Sequence, residues 1–190
     1  VVSIIMSRRT NANIVGVEIQ KKLYDMANES LDYNNLTDRI TFINDDIKNF
    51  VKDKDNYVDM IVCNPPYFKY DENNKINESI EKRIARHEVC INIDEICDCA
   101  SRILKDNGKL CIVHRTDRFN DVYESMKKYR IEPKIIKFIY NNEESQAEMF
   151  LIEGQKNAST GLIIDKPLLV RDLDGSYSDE YKKLQEEILV

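Results

Sequence analysis

The chain has 190 residues, of which 42% are hydrophobic and 33% charged, and this length and composition are typical of one globular domain. A net charge of −6 and a pI near 5.1 argue against strong non-specific binding of nucleic acid, although they are compatible with a local basic patch. No apolar run approaches the roughly 20 residues of a membrane-spanning helix, and the first residues do not form a signal peptide. We therefore expect a cytoplasmic protein without a membrane partner.

The five cysteines are predicted to be free thiols. Cys97 and Cys99 are too close together for the usual spacing of a zinc site, and the chain has only two histidines. The other cysteines are scattered through apolar stretches, which is typical of buried thiols in a reducing compartment. No metal is expected.

Apolar spacing predicts helices and strands that alternate along the chain. In the first third, the predicted elements are the end of a helix (1–10), a strand (13–19), a helix (20–34), a strand (39–44), a short helix after Asp46 and a strand (58–63). Beyond a polar loop at 69–83, they are a helix (91–104) that stops at Gly108, a strand (109–114), a helix around 119–126, two strands (134–140 and 148–153), and a tail with one short strand and one helix.

This alternation predicts an α/β fold: a doubly wound, mostly parallel sheet with helices on both faces and an antiparallel hairpin near the C-terminus. We expect residues 1–190 to form a single domain. Ligands of such sheets bind beyond the carboxyl ends of the strands. The polar residues predicted at those ends are Glu18, then Asp45 and Asp46, then Asn64 with the residues that follow it, then His114 and Arg115.

Glu18 follows an apolar strand, where a carboxylate of a doubly wound fold often accepts hydrogen bonds from ribose hydroxyls. A favourable charge or cap at the start of the next helix explains the same residue equally well. Asp46 has the same two interpretations, and Asp45 is a competing assignment for its role.

The sequence Asn64-Pro65-Pro66-Tyr67 directly follows the third predicted strand. Two prolines stiffen the backbone and fix the direction of its carbonyl groups, and the Asn64 side chain adds another acceptor. Two acceptors beside an aromatic ring suit a planar group that carries an NH₂. Acceptors that hold both hydrogens would favour the tetrahedral nitrogen that attacks an electrophile. The alternative is a turn that only closes the strand.

The Asn64-Pro65-Pro66-Tyr67 motif resembles the (D/N/S)PP(Y/F/W) signature of class I S-adenosylmethionine-dependent methyltransferases that act on amino nitrogens. "NIVGVEIQ" and "FINDDI" look like the second and third strands of that fold, and "ARHE" (85–88) with "GKLCIVHRTDRF" resembles the bacterial tRNA1(Val) adenine N6-methyltransferase family. The resemblance implies a Rossmann-like methyltransferase sheet, S-adenosylmethionine as cofactor, and methylation of the adenosine just 3′ of the tRNA anticodon.

Site residues follow from the same resemblance. It implies catalysis by the motif at 64–67, and a cofactor site formed by Glu18, Ile19, Asp45, Asp46, Ile47 and Asn64. Substrate contacts to RNA are expected from Phe68, Arg83, Arg86, His87, Arg115 and Arg118, although the arginines could instead pair with nearby acids. His114 is expected to be a partly buried residue at a strand end rather than a catalyst.

The sequence departs from the family's pattern at its start. The family's glycine-rich loop follows its first strand, whereas this chain begins inside a predicted helix and its five glycines lie elsewhere. We therefore expect the first strand and that loop to be missing from this chain. Two alternatives stay open: an enzyme with the same chemistry on release-factor glutamine or DNA adenine, and a non-catalytic truncated binding module. The sequence indicates no oligomeric state.

Overall fold

The computed structural model describes residues 2–67 and 91–189, with side chains up to residue 186. Its internal contacts divide the chain into two compact units, one formed by residues 1–53 with 183–190 and the other by residues 54–182. The single domain expected from the sequence stays a prediction. None of the helices in the described part is both long and apolar enough to cross a membrane.

The first unit contains a parallel pair of short strands and three helices. Its elements are α1 (Val2–Arg9), β1 (Ile14–Val17), α2 (Lys21–Asn34), β2 (Ile40–Ile43) and α3 (Ile47–Phe50). Val17 of β1 lies opposite Ile43 of β2, so both strands end at the same edge. The residues that follow these strands are therefore neighbours, as the sequence predicted.

The second unit contains a six-stranded sheet. Its elements are β3 (Val58–Cys63), α4 (Ile93–Ile103), β4 (Leu104–Arg115), a 3₁₀ turn (Thr116–Arg118), α5 (Phe119–Lys128), β5 (Ile131–Tyr140), β6 (Ala147–Lys156), β7 (Ile163–Ile164) and β8 (Leu168–Leu169). The last helix, α6 (Asp179–Leu189), begins in this unit and continues beyond it.

The strands of this sheet lie in the order β3-β4-β6-β5-β7, with β8 also paired to β5. Strand β6 is antiparallel to both of its neighbours, β4 and β5, and every other pairing in the sheet is parallel. The mixed α/β architecture, mostly parallel with an antiparallel pair near the C-terminus, is therefore confirmed.

Helices α4 and α5 pack together over the core of the sheet. Gly154 of β6 allows this, because a Cβ atom there would stand 2.4 Å from Met126 Cε of α5. Helix α4 begins with a capping box between Asn92 and Glu95. Asp94 then joins the two helices: it accepts hydrogen bonds from Lys128 at 2.6 Å and from Ser125 at 3.0 Å. The bond from Lys128 is the main reason that the pKa of Asp94 is lowered.

The helix predicted at 91–104 is confirmed by α4 (Ile93–Ile103), but Gly108 is not its stop. The helix stops at Ile103, and Leu104 is already extended. Gly108 instead lies in an irregular part of β4, where the register against β3 shifts between the pairs Val58–Leu104 and Met60–Lys109. A Cβ atom at Gly108 would stand 2.8 Å from the Lys105 carbonyl oxygen, so this glycine permits the bend of the chain within the strand. The short strand β7, whose Ile163 and Ile164 are exposed, was not predicted.

Candidate active site

The carboxyl ends of β1 and β2 carry acidic side chains. Glu18 directly follows β1; its backbone N–H donates to the Ile43 carbonyl at 3.0 Å, and its Oε1 accepts the Gln20 N–H at 2.8 Å. Asn44, just after β2, donates from Nδ2 to the Glu18 carbonyl oxygen at 2.8 Å. Local hydrogen bonds thus hold Glu18 at the edge where both strands end, half-buried, while Ile19 beside it is exposed.

Asp45 and Asp46 are engaged at the start of α3. Asp46 is the N-cap of that helix, and its Oδ1 accepts the Lys48 N–H at 2.9 Å. Asp45 Oδ1 accepts the Asp46 N–H at 2.7 Å. The capping interpretation given to Asp46 from the sequence is therefore what the structure shows. Ile47, the first residue of α3, is partly buried.

The motif at 64–67 follows the carboxyl end of β3 and has no regular secondary structure. Pro65 is buried, and Asn64 is exposed beside it. The Tyr67 hydroxyl donates to Asn64 Oδ1 at 2.5 Å. An amide oxygen has two lone pairs, so Asn64 Oδ1 retains capacity for a second donor. The structure therefore brings Asn64 and Tyr67 together, and their catalytic role stays a prediction.

Two titratable side chains near this motif are neutral. Cys63, the residue before Asn64, has its thiol pKa raised to about 12, mainly because it is buried. His114, at the end of the neighbouring strand β4, is completely buried. Burial, assisted by the charge of Arg118, lowers the pKa of His114 to about 4. Both side chains are neutral at pH 7.

His114 contacts the motif directly, which the sequence interpretation missed. Its ring lies 5.7 Å from the Tyr67 ring, centroid to centroid, in an edge-on arrangement at 73°. Where β4 pairs with β6, His114 lies opposite Phe150, and the centroids of the two rings are 6.4 Å apart. The signal was present in the sequence, because Leu110, Ile112 and His114 alternate along β4 and therefore share its buried face.

The arginines predicted to contact RNA fall into two groups. Arg115 pairs with Asp117 at 3.1 Å, and Arg118, which is largely buried, pairs with Asp121 at 2.7 Å. These pairs are the alternative that the sequence left open. Phe68, Arg83, Arg86 and His87 lie outside the described residues, and their predicted roles stay predictions.

Solved structures with the same fold include several methyltransferases. A predicted O-methyltransferase from Agrobacterium tumefaciens superposes with a TM-score of 0.76 at 16% identity, over 97% of this chain and 83% of that one. Geranyl diphosphate C-methyltransferase from Streptomyces coelicolor, solved with Mg²⁺, geranyl diphosphate and S-adenosyl-L-homocysteine, gives a TM-score of 0.55 at 11% identity, over 80% of this chain and 66% of that one. The chain therefore has the methyltransferase fold.

The family model described as UPF0020, the RMKL-like methyltransferase domain, matches residues 3–140. The chain belongs to this family of methyltransferases. Curated relatives include one from Flavobacterium johnsoniae that is named tRNA1(Val) (adenine(37)-N6)-methyltransferase. It is 25% identical over 189 residues, which cover 98% of this chain and 78% of the relative.

Proposed function

We propose that this protein transfers a methyl group from S-adenosylmethionine to the N6 amino group of an adenine in tRNA, most simply adenine 37 of tRNA1(Val). The observation that carries the proposal is Asn64. Asn64 is exposed at the end of β3, its Oδ1 accepts a hydrogen bond from Tyr67, and the Tyr67 ring contacts the buried His114. The names of the curated relatives support adenine in tRNA as the acceptor.

The cofactor is assigned from the methyltransferase family and from the donor set at the ends of β1 and β2. Glu18 is half-buried at the carboxyl end of a parallel strand, a position that suits two ribose hydroxyls. We assign Glu18 to the ribose, with Ile19 as an apolar neighbour of the cofactor. Asp45, Asp46 and Ile47 are assigned to the adenine side. When bound, S-adenosylmethionine supplies an electrophilic methyl group.

Asn64 acts on the acceptor amine. The lone pair of an adenine amino group is delocalised into the ring, and it becomes nucleophilic only as the nitrogen turns tetrahedral. Asn64 Oδ1 and a backbone carbonyl of the rigid proline pair each accept one N–H, which favours that geometry and stabilises the positive charge that develops. No strong base is needed beforehand, because one N–H proton becomes acidic as the new bond forms and leaves to water.

Tyr67 supplies the surface on which the acceptor base stacks. An acidic protein reads a shaped RNA more readily than it grips a long duplex, and an anticodon loop presents its bases with little unstacking cost. The proposed contacts to that RNA are Phe68, Arg83, Arg86, His87, Arg115 and Arg118. Since tRNA is the acceptor, we place the reaction in the cytoplasm.

The acceptor is tested with the full gene product, labelled S-adenosylmethionine and bulk tRNA from cells that lack the gene. We expect label in the tRNA and N6-methyladenosine after its digestion, with duplex DNA and release factors unlabelled. Label in a release factor would replace adenine with glutamine as the acceptor. Label in none of the three would contradict the proposed activity and support the non-catalytic alternative.

A further inference from the structure

His114 lies at the end of β4, with its ring against Tyr67 on one side and Phe150 on the other. It is completely buried, as is Phe150 beside it. Its Nδ1 accepts the Arg115 backbone N–H at 2.9 Å, so the proton of the neutral ring resides on Nε2. The side chain is therefore fixed in one orientation by its own strand.

One of the two ring nitrogens of His114 makes no hydrogen bond within the described residues. His114 Nε2 is buried and has no hydrogen-bond partner within residues 2–67 and 91–189. A buried donor left without an acceptor destabilises a protein by about 1–3 kcal/mol. Hydrogen bonding by Nε2 therefore gives this buried ring no role, whereas its contact with Tyr67 does.

We propose that His114 is a positioning residue for the acceptor base: its buried ring holds the Tyr67 ring in place as a preformed stacking surface. The inference rests on the proposed function, because it assigns Tyr67 to the acceptor. Tyr67 is half-exposed in an irregular segment, so it owes its orientation to the neighbours it touches. A ring that is already ordered need not be immobilised when the base binds, and that saves about 0.5–1.5 kcal/mol.

Two substitutions separate the ring from the hydrogen bond. His114→Asn places an amide oxygen where Nδ1 stood, so the Arg115 N–H retains an acceptor while the ring is lost. His114→Phe retains an aromatic ring and loses that acceptor. A positioning role predicts that Phe preserves the function of Tyr67 and Asn does not. A purely structural role of the hydrogen bond predicts the reverse order.

The first readout does not require methyl transfer. The chain contains no tryptophan, so Tyr67→Trp creates a single fluorescent reporter at the position of interest. Adding His114→Asn should raise acrylamide quenching of this tryptophan by about twofold, because an unsupported side chain exchanges rotamers freely. Adding His114→Phe should leave the quenching close to that of Tyr67→Trp alone. Equal quenching in all three proteins, or the opposite order, overturns the proposal.

The second readout uses the full gene product and bulk tRNA. His114→Asn should raise KM for tRNA between about twofold and tenfold, the equivalent of immobilising one side chain. It should leave kcat within about twofold and the Kd for S-adenosylmethionine unchanged, and His114→Phe should restore KM. Ile131→Ala is the matched control: Ile131 is equally buried at the far end of β5, so its loss should lower Tm without changing KM.

The two readouts distinguish the two ideas. Loss of tRNA methylation in the wild-type protein, together with the expected fluorescence, would remove the tRNA assignment and leave the positioning role of His114. Normal tRNA methylation with a KM that His114→Asn does not change would overturn the role of His114 alone.

Discussion

The two sets of strand ends differ in charge and in what holds them. At the ends of β1 and β2, carboxylates predominate, and neighbouring backbone N–H groups fix them: Glu18 accepts from Gln20, and Asp46 accepts from Lys48. At the ends of β3 and β4, Asn64, Tyr67 and His114 are neutral, and a ring contact positions Tyr67 against His114. The arginines that follow His114 are paired with acids. We infer a division of labour, with hydroxyl groups bound at the acidic end and amine chemistry at the neutral end.

The neutral end is suited to amines for an electrostatic reason. A strong negative charge beside the acceptor would attract solvent and cations, whereas amide and carbonyl dipoles point at the charge that develops on nitrogen without any reorganisation. Burial enforces this neutrality, since the pKa of Cys63 is raised to about 12 and that of His114 is lowered to about 4. Glu18, at the acidic end, is only half-buried, whereas His114 is completely buried.

The largest effect is expected from Asn64→Ala in the full gene product. Removing one transition-state acceptor should lower the single-turnover rate of methyl transfer by about a hundredfold to a thousandfold. The measurement is rapid-quench methyl transfer at saturating cofactor and tRNA. Asn64→Asp is the companion variant, because it retains an acceptor oxygen and adds a charge. Normal turnover by Asn64→Ala would reduce the motif to a structural turn.

The neutrality of His114 should appear in the pH dependence of stability. Its pKa is lowered from 6.5 to about 4, so between these pH values the unfolded chain binds a proton that the folded chain does not. The free energy of unfolding should therefore fall as the pH drops through this window, by at most about 3 kcal/mol, and His114 should contribute no further change below it. Urea unfolding at pH 7, 5.5 and 4.5 measures this, and His114→Phe should show a shallower decline. Parallel curves for the two proteins would mean that the pKa of His114 is not lowered by folding.

Asp46 offers a smaller effect at the acidic end. Asp46→Ala removes the N-cap of α3 and should lower the free energy of unfolding by about 1 kcal/mol. Asp46→Asn retains a capping oxygen and should stay within a few tenths of a kcal/mol of the wild type. Urea unfolding of the wild type and the two variants shows whether the capping oxygen or the negative charge of Asp46 stabilises the protein. If Asn is as harmful as Ala, the charge of Asp46 matters more than its cap.

The smallest effect is expected from Tyr67→Phe. The phenylalanine retains the stacking ring and loses only the hydroxyl that donates to Asn64. Because Asn64 Oδ1 is exposed, water can replace that donor, and methyl transfer should fall by no more than about threefold. Tyr67→Ala is the contrast, since it removes the ring and should weaken acceptor binding by about 1–3 kcal/mol. Equal losses in both variants would assign the role to the hydroxyl instead of the ring.

Sequence alone could predict the acidic end better than the neutral one. Capping depends on residues two or three apart, so Asp46 at the start of α3 can be read from its neighbours. The contact of His114 with Tyr67 joins residues that are 47 positions apart in the sequence (114 − 67). Only the pairing of β3 with β4 brings them together. The alternation of helices and strands was sufficient for the fold class. It was not sufficient for the bend at Gly108, which depends on how β4 pairs with β3.

The division of labour is tested most directly by measuring two quantities on two variants of the full gene product. Calorimetry gives the Kd for S-adenosylmethionine, and single-turnover kinetics at saturating cofactor gives the rate of methyl transfer. Glu18→Ala should weaken cofactor binding by about 1.5–3 kcal/mol, the range for hydrogen bonds to a charged group, and leave the rate at saturation nearly unchanged. Asn64→Ala should lower the rate of methyl transfer and leave the Kd for S-adenosylmethionine nearly unchanged. A loss of both quantities in both variants would contradict the account.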